Sequence, residues 1–163
     1  MAKNKEEKTN VMRVLEQKKI AYTAHTYPHE EGMAVDGVTV AKSMGFDPAI
    51  VFKTLVARGA SKQYYVFDVP VAENLDLKKA AKAVGEKSIE MIHQKELLPL
   101  TGYVHGGCSP VGMKKLFPTV IDASAENLET MIVSAGKIGY QVELSPQDLA
   151  ALVRAKFADI IVE

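Results

Sequence analysis

The chain has 163 residues, 47% hydrophobic and 25% charged, with 20 basic and 20 acidic side chains and a formal net charge of zero. At about 100–200 residues per domain this length makes one domain, residues 1–163, and the composition excludes collagenous, disordered and disulfide-stapled chains. A protein that coats long nucleic acid non-specifically is basic overall, so any nucleic-acid contact here must come from a local patch.

In chain order, the first twenty residues are densely charged and carry no apolar core like that of a secretory signal. Thr9 or Asn10 can cap a first helix with Val11, Met12, Val14 and Leu15 in an amphipathic stripe, ending near Lys18 and Lys19, where cations suit the negative end of the dipole. Residues 21–27 read as a strand closed by Pro28, and residues 29–32 as a loop. A short helix over 39–44 is stopped by Gly45 and Pro48. Two β-rich runs, 50–57 and 63–69, flank a Gly-containing connection and predict a hairpin. Asp76 caps a helix reaching Val84, with Leu77, Ala80, Ala81 and Val84 on one face, Lys78, Lys79 and Lys82 outward, and Gly85 as the stop.

A strand over 89–92 and a helical turn over 93–98, ended by Pro99, come next. Residues 101–112 hold too many Gly and Pro for a regular element, although Tyr103-Val104 can end a strand. Residues 119–122, 130–134 and 140–144 predict three strands, the last two joined by a tight turn. Ser145-Pro146-Gln147-Asp148 is a helix start, and residues 159–162 form a closing strand. Many short strands, often in hairpins with short helices between them, predict an α+β fold with a mixed, largely antiparallel, barrel-like sheet. No run approaches about 18 consecutive apolar residues, so the expectation is a soluble, cytoplasmic protein without a membrane span.

Few residues point to chemistry on their own. His25, His29, His93 and His105 lack the spacing of a zinc protease, and one cysteine with no Cys-x-x-Cys leaves no structural zinc pattern, so no metal is expected. Cys108, three residues after His105 in a Gly-rich loop, is either a thiol nucleophile or a small apolar filler. Ser109 precedes Pro110, which cannot donate the backbone N–H of a nucleophile elbow. Gly106-Gly107 lacks Walker spacing and is either a ligand cradle or a tight turn. Lys53 interrupts an apolar run, on the strand face opposite Phe52 and Thr54. It either snorkels to solvent or holds its ammonium in a pocket for a carboxylate, phosphate or developing oxyanion. Lys78, Lys79 and Lys82 are either a solvated helix face or phosphate contacts.

Several segments, taken together and in order over nearly the whole chain, resemble a known family. They are His25-Thr26-Tyr27, Phe52-Lys53-Thr54-Leu55, the run from Leu75 to Lys82, Thr101-Gly102-Tyr103-Val104, Gly106-Gly107 with Ser109-Pro110, the run from Val133 to Lys137, and Phe157-Ala158-Asp159-Ile160. These resemble the YbaK/EbsC proteins, free-standing relatives of the editing domain inserted in bacterial prolyl-tRNA synthetases. The resemblance implies a mixed β-barrel surrounded by helices and a trans-editing deacylase, needing no cofactor, that releases cysteine from mischarged Cys-tRNA(Pro), and also from Cys-tRNA(Cys). It implies tRNA and prolyl-tRNA synthetase as partners. Lys53 matches the family's functionally essential lysine, while Tyr27, Phe52, Thr54, Gly106, Gly107 and Ser134 fall at or beside its pocket positions, and Lys78, Lys79 and Lys82 are candidate tRNA contacts. The mechanism it implies is substrate-assisted: the cysteine's own thiol attacks its ester carbonyl and leaves as a thiolactone. Cys108 stands where the pattern commonly has an aliphatic residue. The alternatives are a deacylase of another aminoacyl-tRNA, such as Ala-tRNA(Pro), and a non-catalytic tRNA- or synthetase-binding module.

Overall fold

The apolar alternation of residues 52–70 closes on itself as a hairpin, β2 (Phe52–Gly59) with β3 (Tyr64–Pro70), in register from Phe52 opposite Pro70 to Arg58 opposite Tyr64. In the computed structural model, which describes residues 8–29 and 35–163, this hairpin is the centre of a five-stranded mixed sheet. β4 (Ile89–Met91) lies antiparallel on one side, and β5 (Thr119–Asp122) and β8 (Lys156–Ala158) add in parallel on the other, giving the order β4-β2-β3-β5-β8. A second, antiparallel sheet has the order β1-β7-β6, from β1 (Thr23–Thr26), β6 (Met131–Ser134) and β7 (Tyr140–Leu144). One parallel bridge, Val51 to Ile132, joins the two sheets.

The side-chain period of two decides which face of the hairpin packs where. Phe52, Val56 and Val66 share the main core with Met131, Val133, Val142 and Leu144 of the small sheet, and with α1 (Asn10–Gln17) and α5 (Pro146–Val153). Ala57, Phe67 and Val69 face the other way, onto Ala80 and Ala81 of α3 (Leu77–Val84) and onto Ile160. A small cluster of Ala41, Val51 and Ile132 lies under α2 (Gly37–Met44), beside the bridge. The fold is therefore α+β, a mixed and largely antiparallel pair of sheets with short helices around them.

Local capping follows the sequence closely. Thr9, Asp36, Asp76 and Ser145 each accept backbone N–H groups at the starts of α1, α2, α3 and α5. Four expectations need correction. Pro99 lies inside α4 (Gln94–Thr101) instead of ending it; the turn it weakens is held by Thr101 Oγ1 donating to Leu97 O at 2.8 Å and Gly102 N to Leu98 O at 2.8 Å. Tyr103 and Val104 form no strand end, because the Tyr103 hydroxyl donates to Val111 O and folds the loop on itself.

The closing strand is β8, earlier than residues 159–162. Beyond Ala158 the Ile160 N–H goes to Asp122 Oδ1 at 3.1 Å, a side chain in place of a neighbouring strand, and only Ile161 makes an isolated bridge, to Leu75. β1 is confined to Thr23–Thr26 because only those residues face Tyr140–Glu143 of β7. Of the loop expected over 29–32, residues 30–32 lie outside the described residues.

Candidate functional site

A cavity of about 230 Å³ opens where the start of β2 meets the small sheet, next to the Val51–Ile132 bridge. Val51 and the first residues of β2 reach it from both strand faces: Val51, Lys53 and Leu55 from one, Phe52 and Thr54 from the other. α2 contributes Val40 and the cap residue Asp36, and Leu97 comes from α4. The loop after α4 adds His105, Gly106 and Cys108, and the small sheet adds Ser134 and Gln141, with Tyr27 just beyond β1. The volume suits a small ester with a short side chain; cavities for drug-sized ligands run to about 300–1,000 Å³.

Of the residues singled out in the sequence, Tyr27, Phe52, Lys53, Thr54, Gly106 and Ser134 all line this one cavity. Tyr27 is anchored by its backbone N–H to Gly139 O at 3.0 Å, which ties the end of β1 to the β6–β7 turn. Ser134 accepts the Gly136 N–H at 3.1 Å, so its hydroxyl proton is left for the cavity. Gly106 takes φ +89°, a backbone conformation that side chains strain to reach, and it brings the main chain onto the cavity wall. Gly107 is not on that wall. A Cβ there would lie 3.1 Å from Ile138 N and 3.3 Å from the Lys137 backbone, so this glycine is required by the β6–β7 turn packed on it.

Lys53 is half-buried, and among the described residues no carboxylate pairs with its ammonium within 4.0 Å. Burial lowers its pKa, and the charges of Asp36 and Glu73 pull it back up. A cation held at a cavity wall and only partly compensated is an anchor for negative charge, whether a phosphate or a carbonyl oxygen becoming an oxyanion.

Two further groups at this site went unread in the sequence. Gln141 lines the cavity with its Oε1 buried and without a hydrogen-bond partner among the described residues. Asp68 sits directly behind the wall: it faces Thr54 across the β2–β3 ladder, is fully buried, and accepts the Thr54 hydroxyl at 2.5 Å. Burial pushes its carboxyl up to about 7, against the Thr54 hydrogen bond, and its Oδ2 has no partner among the described residues. The signal was available: Asp68 is the one charged residue in the run Tyr64-Tyr65-Val66-Phe67-Asp68-Val69.

Other candidates fall away. The Cys108 thiol is pushed up to about 12 by burial and by the nearby Asp68 charge, so it is a neutral filler and not a poised nucleophile. Ser109 is fully buried and its Oγ accepts the Val111 N–H at 3.2 Å. No group of three His, Cys, Asp or Glu side chains gathers as a metal site among the described residues. Lys78, Lys79 and Lys82 do not reach the cavity, and Lys79 does not point outward as expected. Its Nζ bonds Asp159 Oδ2 at 3.1 Å and Ile161 O at 2.9 Å, tying α3 to the C-terminal segment. On the face expected to be apolar, Leu77 is 41% exposed. Among the described residues no helix is long and apolar enough to cross a membrane.

Comparison with known proteins gives consistent matches. A family model described as an aminoacyl-tRNA editing domain matches residues 29–152. A protein of Enterococcus faecalis that carries the name "Putative Cys-tRNA(Pro)/Cys-tRNA(Cys) deacylase EbsC" is 45% identical over 161 residues, 98% of this chain and 98% of that protein. Among solved structures, one described as "a putative trans-editing enzyme for prolyl tRNA synthetase" superposes with a TM-score of 0.78 at 25% identity, covering 94% of this chain and 95% of that one. The hypothetical protein APE2540 superposes with a TM-score of 0.82 at 20% identity, over 93% and 99% of the two chains, and shows the shared fold.

Proposed function

This chain belongs to the aminoacyl-tRNA editing domain family, and from that premise we propose that it is a trans-editing deacylase removing cysteine from mischarged Cys-tRNA(Pro), and from Cys-tRNA(Cys). The observation that carries the reading is the cavity itself: a small chamber with a lysine cation at its wall, whose own thiol, Cys108, burial keeps protonated. Such a chamber suits a reaction whose nucleophile arrives with the substrate. The cysteinyl thiol attacks its own ester carbonyl, the C–S bond of a thiolactone forms, and the C–O bond to the terminal ribose breaks.

On this reading the protein positions and stabilises. Tyr27, Phe52, Gly106 and Ser134 enclose the aminoacyl group, and Lys53 with the backbone at Gly106 meets the oxygen that gains charge. An oriented intramolecular attack draws on large effective concentrations without any protein-borne nucleophile. Lys78 and Lys82, exposed on α3, contact tRNA phosphates, while prolyl-tRNA synthetase supplies most of the tRNA affinity in the cytoplasm. A neutral chain with few phosphate contacts then binds tRNA weakly alone and in a salt-sensitive way.

The test is deacylation of Cys-tRNA(Pro), with Ala-, Ser- and Pro-tRNA(Pro) alongside, by wild type and Lys53→Ala. Release of cysteine only, lost in the variant, is the expected result. Release of alanine or serine makes the protein an editing enzyme of other specificity that does not use the substrate's thiol. No turnover of any of them refutes the deacylase reading and leaves a binding module.

A further inference from the structure

A carboxyl group that is fully buried, bonded through one oxygen and bare at the other, needs a reason to be there. Asp68 is such a group, and its single hydrogen-bond partner among the described residues is a wall residue of the cavity. Thr54 stands directly opposite it on β2, so both side chains project to the same face, and the hydroxyl donates to Asp68 Oδ1 at 2.5 Å. A hydroxyl has one proton and two lone pairs. With its proton committed to Asp68, Thr54 can only accept from whatever occupies the cavity.

Among the described residues, the surroundings leave Asp68 without a counter-charge. Its other ladder neighbour, Ile121 of β5, is apolar, and Asp122 of β5 lies on the opposite face, holding Ile160 N and Ser124 N. From the loop over 103–111 come Cys108 and, beyond it, Tyr103, both pushed up to about 12 and therefore neutral. Lys53 belongs to the other face of β2, and the helices packed on this core, α1 and α5, bring Val11, Leu15, Leu149 and Val153 to it. Among the described residues, Thr54 is thus the hydrogen-bonded link between Asp68 and the cavity.

We propose that Thr54 and Asp68 form a two-membered proton relay that takes the proton from the group attacking the ester, the substrate's thiol on the reading above, on which this inference rests. The thiol proton passes to Thr54 Oγ1 as the Thr54 proton passes to Asp68. The sulfur then bonds the carbonyl carbon and the ester C–O bond breaks. The proton returns through Thr54 to the departing ribose oxygen, so no further reactant is consumed. Asp68 is a positioning residue that acts through Thr54, and Thr54 is the catalytic residue. The elevated carboxyl, about 7, suits both halves of this exchange near neutral pH.

The measurement is single-turnover release of cysteine from Cys-tRNA(Pro) between pH 5.5 and 8.5 by wild type, Asp68→Asn, Thr54→Val and Thr54→Ser, each first shown to be folded by circular dichroism. Wild type is expected to rise with pH and bend over near 7. Asp68→Asn and Thr54→Val are expected to lose that bend and to be slower by about 10²-fold at pH 7.5, and Thr54→Ser to keep both bend and rate within a few fold. An Asp68→Asn enzyme with the wild-type bend, whatever its absolute rate, overturns the relay. So does a loss confined to KM, which would make Thr54 a binding acceptor only. If wild type releases no cysteine, the deacylase reading falls and the relay with it; if wild type is active and the variants share its profile, the relay falls alone.

Discussion

Asp68→Asn makes a prediction for folding that needs no substrate. The ordinary value for an aspartate is near 3.8, and burial raises that of Asp68 to about 7 in the folded chain. The native state therefore holds a proton that the unfolded state has released between these values, and stability contributed here falls as pH rises through that window. With about 1.4 kcal/mol per unit, the loss from this group between pH 5 and pH 8 comes to about 2–3 kcal/mol. Asparagine has nearly the same shape, still accepts the Thr54 hydroxyl and has no charge to lose. Urea unfolding of wild type and Asp68→Asn at both pH values isolates the term. Histidines and exposed carboxylates cancel in the difference of differences, as does any fixed cost of the new amide. The variant should be 2–3 kcal/mol less sensitive to the change from pH 5 to pH 8, a relative shift of about 4–12 °C in Tm for a chain of this size. Equal pH dependence in the two proteins would refute the burial argument for Asp68.

Lys53→Ala should cost about 10²–10³ in kcat for cysteine release while leaving stability nearly unchanged, since among the described residues the ammonium makes no ion pair that its removal would break; unfolding and activity measured on the same preparation separate the two. Cys108 should react with iodoacetamide at pH 8 at least 100-fold more slowly in the folded protein than in urea, because its thiol stays protonated and covered, and Cys108→Ala should keep full activity. Gly107→Ala should destabilise by about 1–3 kcal/mol, because the new methyl meets the Lys137 and Ile138 backbone, which cannot step aside as a side chain would. Lys78→Ala and Lys82→Ala should each lower the slope of log affinity for tRNA against log salt by about 1, whereas Lys79→Ala should not, its ammonium being held by Asp159 and the Ile161 carbonyl.

The parts of the fold legible in the sequence are those fixed by local chemistry. Helix starts at Thr9, Asp76 and Ser145 need only a side-chain oxygen that accepts the backbone N–H three residues on, at the head of an apolar stripe, and the β2–β3 and β6–β7 hairpins need only two apolar runs around a short connection. The misread parts depend on distant partners. β8 is a strand over Lys156–Ala158 because β5 offers an open edge there, and the strand stops where Asp122 takes the next free N–H. Pro99 stays helical because residues after it supply the bonds it cannot. Nor does local sequence say that Lys79 turns back to Asp159, eighty residues on.

The cavity followed the same division. Lys53 stood out because a charge inside an apolar strand is locally odd, yet alternation alone placed it on the face away from Phe52 and Thr54. The small sheet changes that: by bridging at Val51 it lets one chamber reach both faces of the first residues of β2. Asp68 broke its strand's apolar pattern as plainly as Lys53 did, but its meaning lies in the register. Opposite Thr54 it is the inner half of a hydrogen-bonded pair whose outer half lines the chamber; one residue out of register it would join the other face, with Phe67 and Val69. The β2–β3 register is therefore a functional constraint as well as a structural one. It fixes which buried carboxyl the chamber can reach, and the same pairing that closes the core against the small sheet aims Thr54 at the substrate.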